Sequence, residues 1–295
     1  MTAAIAGHPG LHFIGLGLAA SVFWGASDFL GGLATRQAHV VLVVALAHGL
    51  SLGLLLLIAL ATHSPAPPQR FALLGLCAGA FGGVALILYY QALSLGEMGL
   101  TTALTGLLTA LVPVAFSFVT QGSPKSSQIA GFVLAAAAIG LIAYTPVGKP
   151  RPLALGLATL AGLGFGVFLV VLQIGSAGGL LWQLIYSRVA SATLAGGVVI
   201  WIQLRARHDA AIWRHQAREH RFFWIAGSAG VLEASGSLLY MGAAHEGRLD
   251  VAAVLASLYP VVTILLAAWF LKEKTTSSQA LGMALALGAV VLVSV

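Results

Sequence analysis

From Leu88 to Tyr144 each position n aligns with position n + 151, so that residues 239–295 repeat residues 88–144 without a gap. Ser126-Ser127-Gln128 followed by Gly131 returns as Ser277-Ser278-Gln279 followed by Gly282, and Leu88-Tyr89 returns as Leu239-Tyr240. Ala92, Gly96 and Leu104 return as Ala243, Gly247 and Leu255. The beginnings of the two halves match at n + 139: Gly17-Leu18-Ala19 with Gly156-Leu157-Ala158, Gly25 with Gly164, and Phe29 with Phe168. The offset changes around the second and third apolar stretches and their loops, where insertions are tolerated. Internal repetition constrains architecture ahead of any single residue.

Only 7% of the residues are charged and 59% are apolar, against roughly 25% and 45–50% in soluble domains. Such a chain cannot cover itself with a water-compatible surface. A membrane-crossing helix takes about 20 apolar residues, and ten stretches qualify, near 11–34, 40–61, 71–94, 98–120, 128–145, 153–174, 180–203, 222–244, 250–271 and 278–295. No alternating β pattern with Gly/Asn-rich turns is present, which excludes a barrel. The first stretch lacks a basic flank and is too long for a signal peptide, so it reads as a retained helix.

Each repeat then holds five spans. An odd number forces the second copy to lie upside down relative to the first. The expected fold is an all-α integral membrane protein of ten transmembrane helices, built as two inverted five-helix repeats over residues 1–145 and 146–295. The Pro-rich link Thr145-Pro146 through Arg151-Pro152 joins them.

A formal charge of +6 would suggest nucleic acid in a soluble protein, but here the basic residues sit in loops and report orientation. Arg70, Lys125 and Arg248 lie on the side of the N-terminus. Arg36, Lys149, Arg151, Arg205, Arg207, Arg214, Arg218, Arg221, Lys272 and Lys274 lie on the other. The positive-inside rule makes that second side cytoplasmic, with both termini outside, periplasmic in a bacterial inner membrane. The loop Arg205–Arg221, with Trp213, reads as a topology anchor or as a surface helix for anionic lipid. A single cysteine, Cys77, excludes an internal disulfide and a thiolate metal cluster. No cofactor, metal or nucleic acid is expected; the partners are a small-molecule substrate, the lipid bilayer and, for a coupled mechanism, protons.

An ionisable group in hydrocarbon costs at least ~2.5–3.5 kcal/mol, so each one inside a span needs a reason. Asp28 in the first span, Arg188 in the seventh and Glu233 in the eighth qualify. They suggest a central aqueous cavity whose carboxylates bind an amine or exchange protons; an acid–Arg pair or a helix cap is the plain structural alternative. His48 stands where Arg188 stands in the second repeat, since Ser51 and Ser191 then align. It reads either as a packed, hydrogen-bonded residue or as a proton carrier.

Thr101, Thr105, Thr109, Pro113 and Ser117 fall on one helical stripe, either a polar cavity wall beside a kink or a set of interhelical hydrogen bonds. Their counterparts Ala252, Ala256, Pro260, Ile264 and Ala268 are smooth. Trp24, Tyr89-Tyr90 with Gln91, Tyr240 and Tyr259 lie inside spans rather than in the interfacial belts, and could line a pocket for an amphipathic or aromatic solute. Gly75, Gly79 and Gly83 form a small stripe that lets two helices approach.

Two five-helix repeats with Trp24-Gly25 through Gly31-Gly32 in the first span resemble the EamA-type family of the drug/metabolite transporter superfamily. So do the stretch from Leu255 to Thr263 in the ninth span and Leu271-Lys272-Glu273-Lys274 running to Gln279 and Gly282. The resemblance implies alternating access, with a cavity lined by the first, third, fourth, sixth, eighth and ninth helices. On this chain it points to Trp24, Asp28, Tyr90, Gln91, Thr105, Thr109, Gln173, Glu233, Tyr240 and Ser257. Arg188 matches an arginine often found in the family's second helix of a repeat, whereas His48 departs from it.

The expected function is an inner-membrane secondary transporter that exports a small metabolite, such as an amino acid or an amphipathic compound, driven by protons or by the solute gradient. Phosphorylated substrates fit less well, because Arg188 is the only cation within a span. A membrane-embedded enzyme would need a nucleophile–base set or metal ligands facing one another, which no spacing here supplies. A retinal-type photoprotein fails for want of a lysine inside a span. A non-transporting receptor or lipid scramblase is the remaining alternative.

Overall fold

The computed structural model describes residues 9–95, 98–144, 151–205, 220–272 and 276–294, and every element among them is helical. The basic residues Lys149, Arg207, Arg214, Arg218 and Lys274 lie outside the described residues. In hydrocarbon each backbone N–H and C=O must be satisfied within its own segment, and apolar runs of this length meet that demand as helices. The first repeat comprises α1 (Pro9–Thr35), α2 (Val40–Ala61), α3 (Gln69–Leu95), α4 (Met98–Thr120) and α5 (Ser126–Ala143). The second comprises α6 (Pro152–Gly175), α7 (Leu180–Arg205), α8 (His220–Glu246), α9 (Leu249–Ala256), α10 (Tyr259–Phe270) and α11 (Ser277–Ser294). Eight segments are long and apolar enough to span a membrane, the eighth being α9 and α10 together, and α5 and α11 are two shorter apolar helices. The chain thus makes ten crossings.

The ninth crossing, one apolar stretch over 250–271 in the sequence, is not a single helix. It divides into α9 and α10 at Ser257-Leu258, where Ser257 caps the first piece and Pro260 enters the first turn of the second. Proline lacks the N–H that would bond to the carbonyl of Ala256, so the ladder stops there and restarts. Pro113, displaced by one turn in the other repeat, stays inside an unbroken α4.

The packing has the two-fold symmetry that the repeat demands. α1 lies on α8 as α6 lies on α3, α3 packs on α7 as α8 packs on α2, and α4 packs on α6 as α9 and α10 pack on α1. The pairs α2–α7 and α5–α11 map onto themselves. Contacts between the two repeats are made at both ends. At the end where α1 begins, Trp182 Nε1 donates to the Ser64 carbonyl (3.2 Å) and Arg248 Nη2 to the Gly122 carbonyl (3.0 Å). At the opposite end, Ser278 Oγ donates to the Leu141 carbonyl (2.7 Å).

Glycine permits the closest approaches. A Cβ on Gly79 would strike the backbone of Ser187, and one on Gly230 the backbone of Ala47. These are the same contact made twice, since Gly79 and Gly230 are related by n + 151. The repeated Ser-Ser-Gln also has a local job. Gln128 Oε1 accepts from the Lys125 N–H (3.0 Å) and Gln279 Oε1 from the Thr276 N–H (2.9 Å), so each glutamine reaches back to close the start of its helix.

Candidate functional site

α1, α3, α4, α6, α8 and α10 surround one cavity of ≈ 440 Å³, its open mouth included. α1 contributes Trp24 and Asp28, α3 Leu86 and Tyr89, α4 Thr109, α6 Phe165, Phe168 and Leu169, α8 Glu233, and α10 Tyr259. Both carboxylates expected inside the membrane therefore face the same space.

Their surroundings differ. Asp28 accepts from the Tyr89 hydroxyl (2.8 Å), which lies 3.0 Å from the Thr102 hydroxyl. The Tyr259 hydroxyl stands 3.5 Å from the Thr102 carbonyl. Asp28 is thus set among hydroxyls. Glu233, at the middle of α8, is paired with Arg188, whose Nη2 lies 2.5 Å from Glu233 Oε2. Its Oε1 accepts from Ser237 Oγ (3.0 Å). Arg188 Nη1 points at His48 Nε2 (3.4 Å), which lies 3.9 Å from Glu233 Oε2. Arg188 and His48 are each 1% exposed and stand behind Glu233, outside the cavity lining. The acid–Arg alternative therefore describes Glu233 and Arg188 together, while Asp28 has no such partner among the described residues.

The aromatic residues divide in the same way. Trp24 packs on Tyr240 (ring centroids 5.6 Å apart) and meets Tyr259 edge-on (6.5 Å, 87°). Its Nε1 donates to the Glu233 carbonyl (3.3 Å), and Gly236 leaves room for its ring. Tyr240 is fully buried behind Trp24, and its hydroxyl has no hydrogen-bond partner among the described residues. Tyr90 turns away from the cavity, its hydroxyl against Gly31 of α1. Gln91 bonds to Ser94 one turn along its own helix (3.3 Å). Gln173 donates to the Ala244 carbonyl (3.1 Å).

The threonine stripe of α4 is divided as well. Thr109 reaches the cavity, whereas Thr105 donates to the Ala158 carbonyl of α6 (3.3 Å) and Ser117 to Gln121 (2.8 Å). Ser257 Oγ donates to the Val254 carbonyl (2.9 Å) at the break between α9 and α10. Thr263, which sequence reasoning passed over, lies within bonding distance of the Gly25 carbonyl (3.1 Å) and of its own Tyr259 carbonyl (3.2 Å), binding α10 to α1. Phe165, Phe168 and Leu169 were also missed as cavity residues, because apolar side chains in an apolar helix carry no signal of their own. Thr102, also passed over, did carry one, a hydroxyl inside a span, the same signal that pointed to Tyr89. Among the described residues no cluster of His, Cys, Asp and Glu could hold a metal ion.

The model of the EamA-like transporter family matches residues 12–144 and again residues 152–295. One solved crystal structure of a protein superposes with a TM-score of 0.74 at 17% identity, over 96% of this chain and 98% of its own, a likeness of fold. No curated protein matches the sequence significantly. Matched over both halves, the chain belongs to the EamA-like transporter family and is a multi-pass membrane transporter.

Proposed function

We propose that this transporter exports a small metabolite, an amino acid or an amphipathic compound, from the cytoplasm across a bacterial inner membrane by alternating access coupled to protons. The observation that carries the reading is the convergence of Asp28 and Glu233 on one aromatic-walled cavity formed by helices of both repeats. A cavity at a repeat interface is where rocking of one repeat against the other changes access. Carboxylates there offer both a site for an amine and a place for a proton. The loop charges support cytoplasmic placement of the end bearing Arg36, Arg151 and Lys272. Phosphorylated solutes gain no support, since Arg188 is engaged by Glu233.

Counterflow in proteoliposomes, across a panel of amino acids, amines and amphipathic drugs, tests the reading. Wild-type protein is expected to exchange at least one of them down an imposed gradient. Thr109→Trp, which fills the cavity, is expected to abolish exchange while the protein remains folded. Failure of the wild type to move any solute would overturn the proposal.

A further inference from the structure

We infer that Asp28 alone exchanges solute for proton, that Arg188 and Glu233 remain ionised as a fixed neutral pair, and that the solute is a monovalent organic cation with an aromatic or alkyl body. This rests on the transporter reading above and names its substrate class.

The two acids differ in what their protonation would leave behind. Arg188 is a guanidinium that does not deprotonate in proteins, it is 1% exposed, and its carboxylate partner is Glu233. A proton on Glu233, or a solute cation drawn onto it, would strand that buried charge against His48, which offers it only an imidazole nitrogen at 3.4 Å. Removing one member of a buried pair leaves an uncompensated charge, the costly case. Glu233 is thereby held ionised. Asp28 has no such tie. The titratable groups around it are the hydroxyls of Tyr89 and Tyr90 from α3 and of Tyr259 from α10, and the Glu233 carboxylate from α8. α2 brings His48, which lies on Arg188, and His39, which caps its own helix; Asp250 of α9 is bonded to Arg248. No cation among the described residues neutralises Asp28. It carries a proton when the cavity is empty, or faces a cation when the cavity is filled.

The walls choose the cation's body. Trp24, Tyr89, Tyr259, Phe165 and Phe168 enclose the space between the acids, and aromatic faces attract a cation held over them once water is excluded. A strongly hydrated inorganic ion would find too few oxygens, and an anion would find no cation on the wall, since Arg188 stands behind Glu233 and is paired with it. The step balances simply. The solute enters as a cation, the Asp28 O–H bond breaks with its electron pair left on oxygen, and the proton leaves to water on the solute's side of entry. On the other side the cation departs and a proton returns to Asp28.

The test is calorimetric titration of the purified full-length protein with phenyltrimethylammonium, in paired buffers of different ionisation enthalpy. Phenylacetate and benzyl alcohol serve as anionic and neutral counterparts. The expected result is binding of the cation alone, with about one proton released per cation at low pH and an affinity that falls about tenfold for each unit by which the pH is lowered there. Asp28→Asn is expected to lose both the binding and the proton release. Arg188→Gln or Glu233→Gln alone leaves a charge unpaired and can fail to fold. The double variant Arg188→Gln/Glu233→Gln removes the pair together, and is expected to melt cooperatively and still release about one proton per cation bound, with weaker affinity because Glu233 lines the wall. A folded double variant that releases no proton would overturn the inference, as would proton-coupled binding by Asp28→Asn. Counterflow of phenylacetate or of benzyl alcohol, with the cation ignored, would overturn the substrate class and leave the transporter reading standing. Absence of counterflow for every solute would remove both.

Discussion

Tyr89 shows how much one hydroxyl can set in a membrane interior. It is 1% exposed, donates to Asp28 at 2.8 Å and sits 3.0 Å from Thr102. A hydrogen bond to a charged acceptor is worth about 1.5–3 kcal/mol. Tyr89→Phe keeps the ring that walls the cavity and removes only the donor. The charged form of Asp28 is then disfavoured, so solute affinity should fall roughly 10- to 100-fold, with little change in the melting temperature. Concentration dependence of counterflow measures the first and a thermal melt in detergent the second. Loss of folding with no separable effect on affinity would count against Tyr89 as a partner of the binding group. The pairing of Asp28 with Tyr89 was not legible in the sequence. Sixty-one residues separate the two, and a lone polar residue on an apolar helix gives no phase by which to aim it. The pairing of His48 with Arg188 was legible in part. The repeat aligns these two positions, and residues related by a two-fold meet where their helices cross on the axis, as α2 and α7 do.

At the scale of helices, the duplicated glycine contact predicts duplicated consequences. Gly79 faces the Ser187 backbone and Gly230 the Ala47 backbone, each too closely for a methyl group. Gly79→Ala and Gly230→Ala should each cost about 1–3 kcal/mol through overpacking, whereas Gly156→Ala, which meets nothing within 4 Å, should be neutral or slightly stabilising. Thermal melting of the three purified variants checks the order, and a Gly156 variant as damaged as the other two would contradict it. The small stripe itself was plain from its four-residue spacing, but its partner helix was not. A second element-scale tie joins the repeats at the end where α1 begins. Arg248 bonds Asp250 through Nε (3.1 Å) and Nη2 (2.8 Å), and also reaches the Gln121 and Gly122 carbonyls of the α4–α5 loop. The hydrogen bonds to Asp250 raise the Arg248 pKa further. Asp250 is fully buried while Arg248 is partly exposed. Arg248→Gln should therefore destabilise more than Asp250→Asn does, because it abandons a carboxylate that has no access to water. The loss should approach the roughly 3–5 kcal/mol seen when a buried pair is broken. The double variant should recover part of that loss in the same melting assay.

Across the whole molecule, the repeat foretold the doubled and inverted plan, because an apolar stretch in lipid has few other ways to satisfy its backbone. The break of the ninth crossing at Ser257-Leu258 was less legible. A proline shows that a hydrogen bond is missing, but neighbouring helices decide whether the chain kinks or restarts, and Pro113 in an unbroken α4 gives the opposite result from the same residue. What the repeat does not share is concentrated at the cavity: Asp28 stands opposite Val167, Glu233 opposite Gly82 and Thr109 opposite Pro260. Symmetry of the frame thus leaves the polar groups of the cavity free to be asymmetric. Ten crossings place both ends of the chain on one side, and the loop charges choose which. Arg36, Arg151 and Lys272 stand at the end opposite to the start of α1, against Arg70, Lys125 and Arg248 beside it, and most of the excess comes from the five arginines between Arg205 and Arg221. A C-terminal alkaline phosphatase fusion in a bacterial host is therefore expected to be active, and a C-terminal green fluorescent protein fusion dark. Neutralising Arg205, Arg207, Arg214, Arg218 and Arg221 together removes the largest share of the bias, and should shift part of the population to the opposite orientation. A bright fluorescent fusion on the unaltered chain would reverse the orientation, and with it the assignment of export.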